Sequence, residues 1–349
     1  MNRIRINECF EMLYSKRILK EWDTYNKSLF YFVKDKLSWY ESKVNALDKK
    51  DFAASSDDVF FKGSFTYMRF NNLIHRLVEA YLQILQSCYK GDLYNSSDLL
   101  YNLLLGRMNK LYQYLVEPYI NYFDFEVLKD KIFYRMRDEG SGNEVTDCSH
   151  VPFNLRKKID SNRFSLQGLP CLYLADSKET ADKELGSLNN DRCRWVSEFV
   201  LKRPIYLFDL RFKSVPSNKQ MDDYDYLKLL ITYPIRLLCS LKVKDDSDSF
   251  HEEYYIPQLL SHLILVYLKE HPNVELYHGT EGILFDSTKN EGGYNLIIPA
   301  LYKEKNPPQM GHSPHVKNMF EERNVSIFKE KLSANLMHFF IWYNNDFRI

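Results

Sequence analysis

The sequence predicts an α+β protein in three parts. These are an all-helical N-terminal domain over residues 1–127, a mixed domain of strands and helices over 128–303, and a loop followed by a C-terminal helix over 304–349. Three observations predict this. Early in the chain apolar residues recur at helical spacing, as Leu73, Leu77, Ala80 and Ile84 do through NNLIHRLVEAYLQILQ. From about Lys131, short runs rich in β-branched and aromatic residues alternate with loops instead. A chain of 349 residues that is 45% hydrophobic, with only 12 glycines and 12 prolines, has the length for two domains and the composition of ordered cores.

The elements follow in order. The segments around 8–46 and 96–117 are long, rich in Leu, Tyr, Lys and Glu, and poor in Gly and Pro, so they read as helices. Between helices, DKKDFAASSDDVFFKG (48–63) is polar and breaks the pattern, as a loop does. The strand candidates are KIFYRM, PCLYLA, WVSEFVLK, PIYLFDL, GILFDS and NLIIPA. Helices interrupt them at about 177–185 and 222–239. A third helix, in YYIPQLLSHLILVYLKEHP, puts Pro257 in its first turn, where a missing N–H costs little, and stacks Ile256, Leu259, Leu260 and Leu263 on one face. The tail opens with NPPQMGHSPH, a loop, and reads as helical from about Val325 to Tyr343.

Charge and cysteine usage exclude several classes. Lys plus Arg equals Asp plus Glu at 47 each, so no global positive field recruits nucleic acid or an anionic membrane. An anionic ligand must therefore be caught by local arginines. Six cysteines without a CxxC pair or repeated spacing argue against a structural zinc site and a disulfide framework, and no metal is expected. MNRIRINECFEMLYSKR is interrupted by charges and lacks a signal-peptide core. The run Leu263 to Leu268 is far short of the roughly 20 residues that span a bilayer. A reducing cytoplasm is the expected compartment, with no membrane partner.

The stretch from Arg163 to Gly186, RFSLQGLPCLYLADSKETADKELG, is the richest in chemistry. Asp176 or Ser177 as N-cap, with Glu179 three residues after Asp176, gives a capping-box pattern, and Gly186 closes the short helix. These bounds fix Glu184 relative to the strand ending in Leu174. A carboxylate so held suits cleavage of a glycosidic bond, whose transition state carries ribosyl-cation charge; a surface glutamate is the plainer reading. Arg135 and Arg163 stand beside Tyr134 and Phe164 in strand-like surroundings. A planar guanidinium fork grips pyrophosphate oxygens, and structural ion pairs explain such arginines equally. Tyr173 reads as core or as a ring that stacks on a ligand. Ser287, at a strand-to-loop junction with no evident histidine partner, reads as a turn residue or a hydrogen-bonding group in a pocket.

In order along the chain, FYRMR, HVPFNLR before RFSLQGLPCLYL, ETADKEL, FHEEYYIPQLL, GILFDSTKN and NLIIPA resemble the RES family, named for its arginine, glutamate and serine. The resemblance runs from Phe133 to Ala300. It implies a fold like that of ADP-ribosyltransferases, with NAD as the substrate of a toxin that releases nicotinamide. The release is by hydrolysis, or by phosphorolysis with inorganic phosphate as co-substrate. By motif position it implies Glu184, Arg135 and Ser287 as catalytic residues and Arg163, Tyr173 and Tyr134 as NAD-binding residues. The arginines would hold phosphates, Tyr173 would stack on nicotinamide, Glu184 would stabilise the ribosyl cation and Ser287 would orient the sugar or amide. All are expected to share one cleft. The segment from arginine to tyrosine, and that between Tyr206 and His251, are longer than in a minimal family member.

The N-terminal region is similar to the HEPN-type helical domains that accompany some RES proteins. Arg69 and His75 in RFNNLIH are the comparable pair. Six residues turn an ideal helix through about 600°, so these side chains diverge, and a packing or surface role for His75 is expected. An enzyme that empties the NAD pool implies restraint by an antitoxin, or self-inhibition by the N-terminal domain or the tail. Tyr- and Leu-rich helical faces would equally suit a homodimer. Two other readings stay open: transfer of ADP-ribose to a macromolecule, and an RNA-binding or ribonuclease N-terminal module beside an inactive RES domain.

Overall fold

A computed structural model describes residues 3–15, 17–48, 67–106, 119–140, 145, 147–189, 192–212, 223–244, 250–267, 279–300 and 311–330. In chain order the helices before the first strand are α1 (Ile6–Leu13), α2 (Arg17–Thr24), α3 (Leu29–Val44), α4 (Tyr67–Tyr89) and α5 (Leu93–Leu105). There follow β1 (Asp124–Leu128), β2 (Ile132–Gly140), β3 (Cys171–Ala175), α6 (Lys178–Leu185), β4 (Arg192–Leu201) and β5 (Ile205–Asp209). The rest are α7 (Asp223–Ser240), α8 (Tyr255–His262), β6 (Gly282–Asp286), β7 (Tyr294–Pro299), α9 (Pro314–Met319) and β8 (Phe320–Glu330). Helices ahead of a strand-rich region make this the expected α+β class. Of the expected 48–63 loop, residues 49–63 lie outside the described residues, as do 107–117 and 304–310.

The chain divides into two compact units that are not contiguous in sequence. The first holds residues 1–126, 160–167 and 206–288; the second holds 127–159, 168–205 and 289–349. Two stretches of the expected 128–303 domain, 160–167 and 206–288, thus belong with the N-terminal helices.

In the first unit α7 is buried along most of its length, although Pro234 lies inside it. Proline has no N–H for the carbonyl four residues back and its ring crowds that carbonyl, which here is that of Leu230. The tyrosine-rich helical region answers this locally. Tyr40 donates to Leu230 O at 2.8 Å, Tyr14 to Leu229 O at 2.7 Å and Tyr119 to Ile231 O at 3.0 Å. Burial raises the pKa of all three phenols, so they stay protonated as donors. Strands β5 and β6 pair in parallel, with Leu207 opposite Gly282 and Asp209 opposite Leu284. Both are almost continuously buried, as parallel strands are.

In the second unit the strand order is β7-β3-β2-β4-β8, with every recorded pair antiparallel. β2 pairs with β4 from Ile132↔Val200 to Gly140↔Arg192, and β3 with β7 from Cys171↔Pro299 to Ala175↔Asn295. Between β2 and β3 only Tyr134↔Ala175 is in register, so the sheet parts there. Side-chain alternation puts Tyr134, Met136 and Asp138 on one face. Met136 packs with Ala175, Val196 and Ala181 of α6, and Tyr134 lies against that cluster.

The expected tail helix is corrected. Val325 to Glu330 are the end of β8, which runs against β4 from Leu201↔Phe320 to Cys193↔Glu330 with register shifts at Arg194/Trp195 and Val196/Glu198. A ladder with β4 gives this charged segment backbone partners that override its helical propensity. Residues 331–343 lie outside the described residues.

Candidate functional site

Helix α6 is fastened at both ends within the second unit. At its start Ser177, not Asp176, is the N-cap, and its Oγ accepts from Thr180 N at 3.1 Å. Asp176 Oδ1 instead accepts from Thr180 Oγ1 at 2.7 Å, and Glu179 takes Lys183 Nζ at 2.6 Å one turn on. The turn before β7 binds the same end: Asn290 Nδ2 donates to Thr180 Oγ1 and Lys183 Nζ to Asn290 Oδ1, both at 2.8 Å. Gly293 lies so close to Thr180 Oγ1 that a Cβ there would collide with it. At the other end Gly186 takes φ +70°, a conformation glycine tolerates best, and stops the helix.

Arg194 fixes that far end. Its side chain is 1% exposed. Nε and Nη2 grip Asp138 at 2.7 and 2.8 Å, and Nη1 reaches Asp182 Oδ1 at 2.7 Å and the carbonyls of Asp182 and Gly186 at 3.1 and 3.0 Å. Burial alone would raise the Asp182 carboxyl. Hydrogen bonds from Lys329 and Arg194 win and hold it below its ordinary value.

Glu184 sits on this fixed helix, half-buried, and its Oε1 accepts from Asn295 Nδ2 at 2.6 Å. Asn295 is buried on β7 opposite Ala175 of β3. Tyr173, two residues before Ala175, shares that face with Tyr134, and both rings are half-buried. Lys178 Nζ lies 5.4 Å from the centre of the Tyr134 ring and pairs with Glu198 at 3.3 Å. The structure therefore brings Tyr134, Tyr173 and Glu184 to one face of the sheet.

Arg135 is the exception among these neighbours. Alternation along β2 turns it to the face opposite Tyr134, at the parting of β2 from β3, where Nη1 donates to Tyr173 O at 3.2 Å. Burial lowers its pKa from the ordinary arginine value. Among the described residues no carboxylate stands within 4.0 Å of it, and the charge of Glu322 acts only from farther away. Arg194 and Arg211 are paired with carboxylates, Arg194 as above and Arg211 with Asp209 and Glu126, whereas fully buried Arg236 has Asp124 only at 3.9 Å.

Arg163 and Ser287 belong to the first unit. Arg163 is buried, with Nη1 donating to Cys239 O at 3.3 Å and to Leu241 O, and Nη2 to Thr288 Oγ1 at 3.4 Å. Its guanidinium carbon lies 5.6 Å from the centre of the Tyr254 ring. These bonds satisfy carbonyls at the C-terminal end of α7, which ordinary helix geometry leaves without partners. Where the sequence suggested a phosphate grip, the guanidinium acts as a helix cap. Through Thr288 it also fixes the loop that holds buried Ser287 just past β6.

No family model matches the chain, and no solved structure matches it. Over 146 residues it is 34% identical to a Bacillus subtilis (strain 168) protein named "Putative toxin YopC". The matched stretch is 37% of this chain and 31% of that protein, so it spans about a third of the relative's length. No helix among the described residues is long and apolar enough to cross a membrane.

The HEPN-type pair is not assembled as a site. His75 is exposed, with Nδ1 2.8 Å from Glu41 and Nε2 3.4 Å from Glu79, and Arg69 is exposed six residues earlier on α4. Sequence reasoning missed Asn295, Arg194, Asp138, Asn290 and Gly293. Signals existed for two of them: Arg194 interrupts the apolar run RCRWVSEFVL, and Asn295 is the polar opening of NLIIPA.

Proposed function

We propose that this chain is a toxin that degrades NAD by breaking its nicotinamide–ribose bond. The observation that supports this most is Glu184, a half-buried carboxylate that Asn295 holds on the sheet face it shares with the half-buried rings of Tyr134 and Tyr173. A carboxylate held beside two aromatic rings suits a ligand that joins a flat base to a sugar on which positive charge develops. The relative named as a toxin supports the broader role.

In this reading the bond from ribose C1′ to the pyridinium nitrogen lengthens, and nicotinamide leaves as a neutral molecule with the bonding electron pair. Positive charge develops over C1′ and the ring oxygen. The Glu184 carboxylate, held by Asn295, stabilises that charge or orients a ribose hydroxyl. Tyr134 and Tyr173 present half-buried rings to flat parts of the ligand. A phosphate or water oxygen then bonds to C1′, and water gives up a proton as it does so. Removing one such charged contact costs on the order of 2–4 kcal/mol of transition-state stabilisation. A toxin of this kind requires restraint in its own cell by an antitoxin or by its own helical region.

The test is incubation of the purified chain with labelled NAD, with and without inorganic phosphate, followed by product identification. Free nicotinamide with ADP-ribose, or with ADP-ribose 1-phosphate when phosphate is present, is the expected result. Label on protein or nucleic acid would favour transfer to a macromolecule, and unchanged NAD would defeat the proposal.

A further inference from the structure

A cavity of about 700 Å³ lies in the first unit between α1, α2 and α3. Small-molecule sites span roughly 300–1,000 Å³, so the space is of ligand size. Its walls are fixed by the fold. Ile4 N donates to Ala46 O at 3.1 Å and Asp48 N to Ile4 O at 3.0 Å, which ties the entry to α1 to the end of α3. Tyr14 and Trp22 anchor α1 and α2 through Leu229 O at 2.7 Å and Lys242 O at 2.9 Å. Glu8, Glu11, Met12 and Ser15 recur at helical spacing, so one stripe of α1 lines the cavity while Ile6, Cys9 and Leu13 turn to the core.

The lining has two chemical parts. Ile4, Met12 and Ile18, with the half-buried ring of Trp39, make an apolar wall. Glu8, Glu11 and Glu21 bring three carboxylates against the single ammonium of Lys36, which is itself paired with Glu21, leaving the lining net negative. Carboxylates on a helix face are ordinarily just solvated. Here they share a concave space with an aromatic ring whose face attracts cations, and that ring already draws Lys43 Nζ to 5.8 Å from its centre. An anion would be repelled in such a space, and a neutral apolar ligand would strip water from the carboxylates without replacing it. An alkyl stem ending in ammonium or guanidinium meets both parts, with the stem on the apolar wall and the head at the carboxylates.

We propose that this cavity is a binding site for an aliphatic cation, supplied as a free polyamine or as the lysine or arginine side chain of a protein partner. The site belongs to the first unit and Glu184 to the second, so the inference stands apart from the NAD-degrading reading.

The test is calorimetric titration of the full chain with four probes: agmatine, spermidine, a short glycine peptide with one central arginine, and glutarate as the anionic counterpart. Saturable binding of at least one cationic probe, and none of glutarate, is expected. Tighter binding of agmatine or spermidine identifies a free amine as the natural ligand class, and tighter binding of the peptide identifies a protein side chain. Glu11→Lys, at an exposed position, should weaken that binding about 10-fold or more by setting a like charge in the site, and Trp39→Leu about 10-fold by removing the ring. Asp23→Asn removes an exposed carboxylate that does not line the cavity and should leave the affinity unchanged. If Trp39→Leu does not fold, Glu11→Lys and Asp23→Asn carry the comparison. Saturation by none of the cationic probes, equal affinity for glutarate, or cation binding that survives Glu11→Lys overturns the inference.

Discussion

Arg194 of β4 and Asp138 of β2 form a two-pronged ion pair, at 2.7 and 2.8 Å, whose remaining arm reaches down to the end of α6. Bidentate guanidinium geometry makes this directional, and hydrogen bonding to Asp138 and then Asp182 raises the arginine pKa beyond its ordinary value. The pair ties two strands of the sheet to the helix that carries Glu184.

Removing that arginine leaves two largely buried carboxylates and two carbonyls without their donor. Arg194→Ala should therefore lower unfolding free energy by about 3 kcal/mol, and Arg194→Lys should recover little, because an ammonium cannot reproduce the fork. Urea unfolding of the two variants against wild type checks this. Full stability in Arg194→Lys would show that charge alone suffices.

Gly293 has no room for a side chain where the turn before β7 meets Thr180. Gly293→Ala should destabilise the protein by about 1–3 kcal/mol, as overpacking does. In a Thr180→Ala background part of that penalty should vanish, because the colliding hydroxyl is gone while the Asn290 amide nitrogen still lies 2.8 Å from the added Cβ. A double-mutant cycle read by chemical denaturation measures the coupling, and strict additivity would contradict it.

Tyr40 donates to the carbonyl that Pro234 leaves without its helical N–H. Tyr40→Phe should cost about 1–3 kcal/mol by burying an unsatisfied acceptor. Pro234→Ala returns an amide N–H to α7, so the same Tyr40→Phe change should cost less in that background. Equal cost in both backgrounds would mean the hydroxyl has no part in mending the helix.

His150 gives the chain an acid limit. Burial pushes its imidazole down to about 4, with Nδ1–H donating to Val151 O at 2.8 Å and Nε2 accepting from Ser313 N at 2.8 Å. In the unfolded chain the group titrates near about 6.5, so over the intervening range the unfolded state binds the extra proton. Its contribution is complete above about pH 6.5 and is lost as pH falls toward 4, amounting to about 3 kcal/mol. His150→Gln should flatten stability over that window. An equally steep acid slope in the variant would assign the effect to other groups.

Much of this architecture is legible in the sequence. Ser177 and Gly186 announce the ends of α6, and the six strand candidates appear at nearly their expected places because β-branched runs bounded by turn residues have few other uses. β8 was not legible: FEERNVSIFKE carries more helix formers than strand formers, and only its ladder with β4 decides. The roles of the arginines were also hidden. Arg135, Arg163 and Arg194 look alike as residues beside aromatic or strand-like neighbours, yet one lacks a carboxylate, one caps a helix and one bridges two aspartates. Such differences depend on which groups distant segments bring near, and local spacing does not carry that information.

The most direct test of nicotinamide release is its rate from NAD for wild type and for Glu184→Gln, measured on folded proteins of equal thermal stability. The isosteric amide keeps the shape of the side chain but not its charge. A loss of two orders of magnitude or more in kcat, about 3 kcal/mol, is predicted. Nicotinamide release by Glu184→Gln at the wild-type rate would contradict it.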